Sequence, residues 1–335
     1  MKSTSKDRIE KKGGGIQLSF RAKQRIALAL FGVVVYAALI SLIPNFSSPY
    51  NLFNIITQAA IYGTMSLGLA FVLITGGIDI SLPCVLAMGS VVGVTYMSQT
   101  GNWIVGCLLI LGVCMLGGLV SGVSVAVFRM SPMIVTLAMM NVADGFAKWY
   151  TNYESVRGIP EVLTGFFKRR IGGVVPMYVI VFLILVLLLH FILTKTVFGR
   201  WLYFIGTNKN TARVSGVPVT AVTISAYLIG ALMAGIAGIM LSVQSGCATA
   251  RMVSPSMLTE VLAAAVIGGA SDRGGRGTAV GVAVGAIVIS TTSISLNLLG
   301  IQSYPAQVIK GGIIILATIL DYRLNNNTGG KVKTK

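Results

Sequence analysis

Long apolar runs separated by short polar segments fill the chain from residue 26 to residue 320. Ten runs are bounded by Pro, Gly, Asn or charged residues, at 26–43, 54–74, 83–98, 103–128, 132–151, 176–194, 221–243, 258–270, 278–297 and 304–320. A helix that crosses the hydrocarbon layer of a membrane, roughly 30 Å thick, needs about 20 mostly apolar residues. The pattern predicts an all-α fold, a polytopic bundle of about ten transmembrane helices that forms one domain over 26–320.

Two of the runs, 83–98 and 258–270, are barely long enough to cross and could be half-helices, so we expect eight to ten spans. Five runs precede the polar segment 152–175 and five follow it, which would place the two halves in opposite orientations, as in an inverted repeat. The clearest trace of such a repeat is the similarity between 131–135 and 304–308, which each open the last run of a half.

Charge sets the expected orientation. The chain has 26 Lys and Arg residues against 9 Asp and Glu residues, a net charge of +17. In a soluble protein this would suggest nucleic-acid binding, but here the cations flank the apolar runs. With ten crossings and a cytoplasmic N-terminus, most cations fall on the inner side of a cell membrane. We therefore expect cytoplasmic tails at 1–25 and 321–335, and no nucleic-acid partner.

Composition excludes several other classes. Apolar residues make up 55% of the chain and charged residues 10%, with a mean hydropathy of +0.84, outside the range of soluble domains. The four cysteines show no CxxC spacing, and the single histidine leaves catalytic triads and metal sites without parts. The sequence therefore predicts no catalytic residue and no metal site.

The predicted inner loop 195–220 is basic but also partly apolar. Asn208 can begin a short helix that passes through Ala212 and Arg213, and the pair Ser215 and Gly216 can end it. Such a surface helix suits docking to another protein. A solvated connector whose charges only set topology is an equally good interpretation.

Two further inner segments interrupt the apolar runs. The first carries Asp79, and a carboxylate at membrane depth costs about 2.5 to 3.5 kcal/mol, so it should cap the following helix or face a solute path. The residues of such a path would be Thr75, Gly76, Gly77, Asp79, Ser81 and Asn141. The second segment contains Gly268, Gly269, Ser271, Gly274, Gly275, Arg276 and Gly277. It lacks the phosphate-loop pattern, so it is either a tight turn or a second contact with a partner.

Three charged residues within or beside the runs are expected to be structural. Asp144 and Lys148 are four residues apart near the outer end of their run and can form an ion pair. Glu260, at the outer start of the run 258–270, is expected to lie at the membrane interface.

The inner loop resembles a segment of the ribose-type permeases of bacterial ABC importers. The matching residues are Gly199, Arg200, Tyr203, Ile205, Gly206, Asn208, Ala212, Arg213, Ser215 and Gly216. The segments 75–81 and 268–277 agree in order and spacing, and the resemblance covers about residues 50–320. The chain departs from the family pattern at Leu82 and Pro83, and at Asp272 and Arg273.

The resemblance implies a transport subunit in the bacterial cytoplasmic membrane, not an enzyme, that imports a sugar or a similar polyhydroxylated solute. It implies a second permease copy or homologue, an extracytoplasmic solute-binding protein, and a cytoplasmic ATP-binding subunit that docks on the inner loop. ATP and Mg would then lie on that partner, and this chain would hold no cofactor. An ion-coupled secondary transporter is the alternative, although most of the acidic residues lie near run ends.

The external segment 152–175 breaks the rule that cations favour the inner side. It holds Glu154, Arg157, Glu161, Lys168, Arg169 and Arg170. We expect this mixed-charge surface to dock the solute-binding protein by charge complementarity.

Overall fold

The computed structural model describes residues 41, 43, 46–173, 175–302, 304–312 and 315. The chain divides into two compact units, Met1–Ser47 and Ser48–Lys335, and nearly all of the described residues belong to the second unit. The predicted tails 1–25 and 321–335 lie outside the described residues, as does the predicted span 26–43 except for positions 41 and 43.

The second unit consists mainly of α-helices. In chain order they are α1 (Pro49–Ile74), α2 (Leu82–Thr100), α3 (Trp103–Ala126), α4 (Pro132–Tyr150), α5 (Glu161–Lys168), α6 (Met177–Lys195), α7 (Val197–Thr207), α8 (Lys209–Val214), α9 (Val219–Ser245), α10 (Pro255–Ile267) and α11 (Ala279–Leu298). A 3₁₀ turn covers Ala250–Met252, and 304–312 is helical. Strands β1 (Arg170–Ile171) and β2 (Val175–Pro176) form a small antiparallel hairpin that the all-α prediction did not include.

Where the structure describes them, the predicted apolar runs within the second unit coincide with helices. Among the described residues, six helices are long and apolar enough to cross a membrane: α1, α2, α3, α6, α9 and α11. Helix α4 has 19 residues but also carries Asn141, Asp144 and Lys148. Helix α10 has only 13 residues, which fits the expected half-helix. The chain is a polytopic helical bundle, whereas the count of ten spans and the inverted repeat stay predictions.

Local signals explain where α2 ends and α3 begins. Gly101 adopts a left-handed conformation with φ of 71°, which ends α2. The side-chain oxygen of Asn102 then accepts hydrogen bonds from the backbone nitrogens of Ile104 and Val105, at 3.1 and 3.2 Å. The tight turn makes α2 and α3 an antiparallel pair.

Helix α1 lies at the centre of the bundle and packs against α6, α9, α10 and α11. Small residues allow this close approach, because a Cβ atom on Gly68 would lie 2.9 Å from the carbonyl oxygen of Gly230 in α9. The Ser66 hydroxyl of α1 donates a hydrogen bond to the carbonyl oxygen of Val261 in α10, at 3.0 Å. In contrast, α3 and α6 expose large apolar side chains such as Leu108 and Leu187, as expected for surfaces that face lipid.

Contacts between loops group them at two ends of the bundle. At one end, which we call the motif end, the Tyr203 hydroxyl of α7 donates to the carbonyl oxygen of Gly277, at 2.7 Å. At the other, the hairpin end, the backbones of Val156 and Ala248 pair, at 2.8 and 2.9 Å. The guanidinium of Arg170 stacks on the Phe53 ring there, 4.5 Å from its centroid. The predicted inner segments lie at the motif end and the predicted outer segments at the hairpin end.

Candidate functional site

The predicted helix of the inner loop is present as α8. The side-chain oxygen of Asn208 accepts hydrogen bonds from the backbone nitrogens of Asn210 and Thr211, both at 3.0 Å. Gly216, with φ of 81°, follows the last turn as expected. Ala212 of α8 is buried, whereas Arg213 and Ser215 are exposed. Local sequence signals were therefore sufficient to place this helix.

Helix α7, in contrast, was not predicted. It begins after Thr196, whose hydroxyl accepts a hydrogen bond from the backbone nitrogen of Gly199 at 3.1 Å. Its buried positions, Gly199, Leu202 and Ile205, recur at helical spacing. That periodicity and the Thr196 cap are the signals that would have indicated it.

Gly206, in the last turn of α7, lies against the end of α1. A Cβ atom at this position would overlap the carbonyl oxygen of Ile74, the last residue of α1, and the backbone nitrogen of Gly275. That nitrogen itself donates a hydrogen bond to the Ile74 oxygen at 2.9 Å. The three backbones therefore touch directly, and only glycine fits at residue 206.

The glycine-rich segment forms the third side of this contact. Gly274 and Gly275 adopt left-handed conformations, with φ of 84° and 74°. A Cβ atom on Gly274 would lie 2.8 Å from the Gly206 oxygen and 3.0 Å from the Cα of Gly76. The structure thus brings together 74–77, 203–207 and 273–277, which we call the three-segment junction.

The rest of the glycine-rich segment forms a tight turn beside α11. The backbone nitrogen of Ser271 donates to the carbonyl oxygen of Arg276 at 3.1 Å, which closes the turn. Gly268 leaves room for the backbone of Val282, because a Cβ atom there would lie 2.6 Å from the Val282 nitrogen. Gly269 has φ of 87°, and the Arg276 side chain is exposed.

Cations cluster on the surface of the motif end around α8. The pKa of Lys209 is lowered, first by partial burial and then by repulsion from Arg213 and Arg129. Arg129 lies in the turn between α3 and α4, so two separate loops supply this positive surface. Val214, beside the cations, is 90% exposed. A surface that combines positive charge with an exposed apolar side chain is suited to an acidic protein partner.

Asp79 lies in the interior, with only 1% of its surface exposed. Its Oδ1 accepts hydrogen bonds from the Ser81 backbone nitrogen at 2.9 Å and from the Ser81 hydroxyl at 2.6 Å. It therefore orders the residue just before α2, close to the cap we expected, although it binds no N–H within the helix. Ser81 is equally buried.

The remaining residues of the predicted solute path divide between loop and surface. The Thr75 hydroxyl donates to the carbonyl oxygen of Val72 at 2.7 Å and thus closes the end of α1. Gly76 has φ of 81°. Asn141 is exposed on α4, where its side-chain nitrogen donates to the carbonyl oxygen of Leu137 at 3.1 Å. A path that uses both Asp79 and Asn141 would have to connect the interior to this face of α4, and it stays a prediction.

All six charged residues expected to dock a partner are exposed at the hairpin end: Glu154, Arg157, Glu161, Lys168, Arg169 and Arg170. Sequence analysis did not predict that the Tyr153 ring, at this end of the bundle, lies beside two cations. The guanidinium of Arg251 lies 4.3 Å and the ammonium of Lys148 lies 5.8 Å from its ring centroid. The expected pair of Asp144 and Lys148 is present, with 2.6 Å between Oδ2 and Nζ.

Glu260 is buried inside the protein, with only 4% of its surface exposed. Its expected position at the membrane interface stays a prediction. Its Oε1 forms an ion pair with Nζ of Lys310, at 2.6 Å. The cation that makes burial of Glu260 tolerable comes from 304–312, far along the chain, so sequence position alone did not reveal it.

Among the described residues, no group of three or more His, Cys, Asp or Glu side chains is placed to hold a metal ion.

Residues 51–318 match the model of a protein family described as "Branched-chain amino acid transport system / permease component". The ribose import permease protein RbsC of Bacillus subtilis strain 168 is 35% identical over 296 residues, which cover 88% of this chain and 91% of the relative. The L-arabinose ABC transporter permease protein AraH of Azospirillum brasilense is 30% identical, over 92% of this chain and 91% of its own length. The galactose/methyl galactoside import permease protein MglC of Haemophilus influenzae is 31% identical, over 90% of this chain and 95% of its own length. No solved structure matches.

Proposed function

We propose, from the premise that the chain belongs to this family of transport permease components, that it imports a sugar or a sugar-like polyhydroxylated solute. It is a membrane permease subunit and not an enzyme. The names of its relatives, which refer to ribose, arabinose and galactose, support the class of solute. The energy would come from ATP hydrolysed on a partner subunit, which would hold ATP and Mg, so this chain needs no cofactor.

The three-segment junction is the observation that carries the proposed mechanism. The inner-loop helices α7 and α8 expose cations at the motif end, and Gly206 places the α7 backbone against the last residue of α1. Because packed interiors transmit displacement instead of absorbing it, a partner that moves α7 would also move α1. We infer that the ATP-binding subunit docks on α7 and α8, with the turn around Arg276 as a second contact.

The hairpin end would receive the solute-binding protein. Its exposed charges lie on α5, on the loop before α5 and at the hairpin, and Arg170 anchors the hairpin to α1 through the Phe53 ring. Charges on an exposed rim act mainly on the rate of encounter, so this docking should weaken as salt rises.

A second permease copy or homologue would complete the pathway. Helix α4 exposes Asn141 together with large apolar side chains, among them Met133, Leu137 and Val142. Polar groups on a membrane helix usually face protein or water and not lipid. We infer that this face of α4 turns toward the second subunit and the solute.

Reconstitution in lipid vesicles tests this function. The chain would be combined with its ATP-binding subunit and solute-binding protein, and uptake of radiolabelled ribose, arabinose and galactose would be measured. We expect ATP-dependent accumulation of at least one sugar that persists with an uncoupler present. Accumulation driven by an imposed proton or sodium gradient without ATP would instead establish the ion-coupled alternative.

Sidedness has its own test, because the proposal needs the motif end in the cytoplasm. In intact cells, a cysteine placed at Asn210 in α8 should resist a membrane-impermeant maleimide added outside and react once the membrane is opened. A cysteine placed at Glu154 is the matched control and should react from outside. Reaction at residue 210 in intact cells would reverse the assigned orientation.

A further inference from the structure

Tyr227 of α9 is completely buried where four helices meet. Its side chain packs with Val72 of α1, Val125 of α3 and Val135 of α4, in a cluster separate from the main core. The Tyr227 hydroxyl nevertheless finds no hydrogen-bond partner among the described residues. A buried hydroxyl without a hydrogen-bond partner is unusual, because nearly all buried polar groups in native proteins are paired.

A second unpaired group lies close to it. Oδ2 of Asp79 is buried and also lacks a hydrogen-bond partner among the described residues, although Oδ1 is bonded to Ser81. A Cβ atom on Gly77 would lie 3.0 Å from the Tyr227 hydroxyl, so the loop that carries Asp79 passes beside that hydroxyl. A donor and an acceptor that could satisfy each other are thus near but unbonded.

The loop 75–81 lies between the three-segment junction, where the proposed ATP-binding subunit would act, and α4, which would face the solute. On one side it continues from Ile74 and Gly76 in the three-segment junction. On the other side, the Thr136 hydroxyl of α4 donates to the carbonyl oxygen of Pro132 at 2.9 Å and also lies 3.3 Å from the carbonyl oxygen of Ile78. The loop therefore lies between the three-segment junction and α4, and the Tyr227 hydroxyl lies beside it.

We propose that Tyr227 is a positioning residue for the change of access. In one access state its hydroxyl donates a hydrogen bond to Oδ2 of Asp79, and in the state seen here that bond is open. The bond contributes to the stability of only one state, so it biases the equilibrium between the two. Tyr227 thereby helps to convert movement of α7 into movement of α4. This inference rests on the proposed function, because it assumes a partner that drives α7.

The test compares two substitutions in α9 that each remove one buried, unpaired hydroxyl. Tyr227→Phe keeps the ring and its packing. Ser242→Ala is the matched control, because the Ser242 hydroxyl is also buried without a partner among the described residues. ATP hydrolysis by the reconstituted full complex would be measured with and without the solute-binding protein, used with the solute that copurifies with it, and the melting temperature would be recorded.

We expect Tyr227→Phe to lower the stimulated rate by about fivefold, the effect of one hydrogen bond made in a single state. Neither variant should change the melting temperature appreciably, and Ser242→Ala should hydrolyse ATP as the unaltered complex does. In an Asp79→Ala background, Tyr227→Phe should have no further effect, because its partner is already gone. If that background fails to assemble, the comparison of Tyr227→Phe with Ser242→Ala decides alone.

Equal rates for Tyr227→Phe and the unaltered chain would overturn the inference, as would the same loss in Ser242→Ala. A full effect of Tyr227→Phe in the Asp79→Ala background would also overturn it. None of these outcomes touches the proposed function, since the unaltered complex would still be stimulated. If the unaltered complex shows no stimulation at all, the proposed function itself fails, and this inference fails with it.

Discussion

Gly206 of α7 occupies the only space between the carbonyl oxygen of Ile74 and the backbone nitrogen of Gly275, which are themselves joined by a 2.9 Å hydrogen bond. Because the contact is between backbones, no rotation of a side chain can make room for a larger residue. The end of α1, the last turn of α7 and the glycine-rich turn therefore keep a fixed spacing. This spacing makes Gly206 the most sensitive position for testing the junction.

Gly206→Ala should destabilise the chain by about 1 to 3 kcal/mol, the usual effect of forcing a methyl group into packed structure. It should also lower the solute-binding-protein-stimulated ATPase rate more than the basal rate, since α1 would no longer follow α7. The matched control is Gly112→Ala in α3, where an added Cβ meets nothing within 4 Å. Melting temperature and ATPase rate of both variants would be measured in lipid nanodiscs. If both variants had the same melting temperature and the same ATPase rates, the junction would not depend on the close contact between Gly206 and Ile74.

Arg213→Glu should weaken binding of the ATP-binding subunit by about tenfold at low salt, or about 1.4 kcal/mol. The change reverses one of the two charges that repel the Lys209 ammonium. It should relieve that repulsion, so the folded chain should not become less stable. Affinity would be measured by titrating the labelled ATP-binding subunit onto nanodiscs at two salt concentrations. Unchanged affinity at both would remove Arg213 from the docking surface.

Reversing Lys168, Arg169 and Arg170 to Glu should impair the other partner: the solute-binding protein, and not the ATP-binding subunit that Arg213→Glu affects. These side chains are exposed at the hairpin end, so the variant should slow association of the solute-binding protein and leave binding of the ATP-binding subunit intact. The loss should shrink as salt increases, because exposed charges are screened over about 10 Å at 0.1 M salt. Association rates from surface plasmon resonance would be compared with those of Arg213→Glu. If each variant impaired both partners equally, the assignment of the two ends would be wrong.

Local patterns allowed the sequence to predict most of the helices and one of the two inner-loop helices. The side chain of Asn208 caps α8 and Gly216 ends it, and both signals are readable from adjacent residues. The three segments that resemble a known family are also segments whose backbones touch in the structure. Their meeting at Gly206 was not predictable, because it depends on how distant segments pack and not on any local preference.

The contacts of Tyr227 and Glu260 likewise could not be predicted from neighbouring residues in the sequence. Tyr227 lies within a long apolar run and nothing beside it in sequence marks it, since its neighbours Val72, Val125 and Val135 come from three other helices. The ion pair of Glu260 was not predictable either, because its partner Lys310 lies in another helical segment. A buried ionisable residue in a membrane protein can be noticed from sequence, but its partner becomes known only from the fold.

The pair of Glu260 and Lys310 gives a prediction about stability that does not depend on transport. Removing one member leaves a buried charge uncompensated, so Lys310→Met alone should cost about 3 to 5 kcal/mol. The double variant Glu260→Gln with Lys310→Met should recover most of that loss, because no buried charge then remains. Lys148→Met is the matched control, because it breaks the ion pair between Lys148 and Asp144. The side chains of that pair are 44% and 38% exposed, so its loss should change stability little. Melting temperatures in nanodiscs would separate these cases. If Lys310→Met were as mild as Lys148→Met, Glu260 would have to be stabilised by something other than the Lys310 ammonium, and the ion pair would not be what keeps 304–312 against α10.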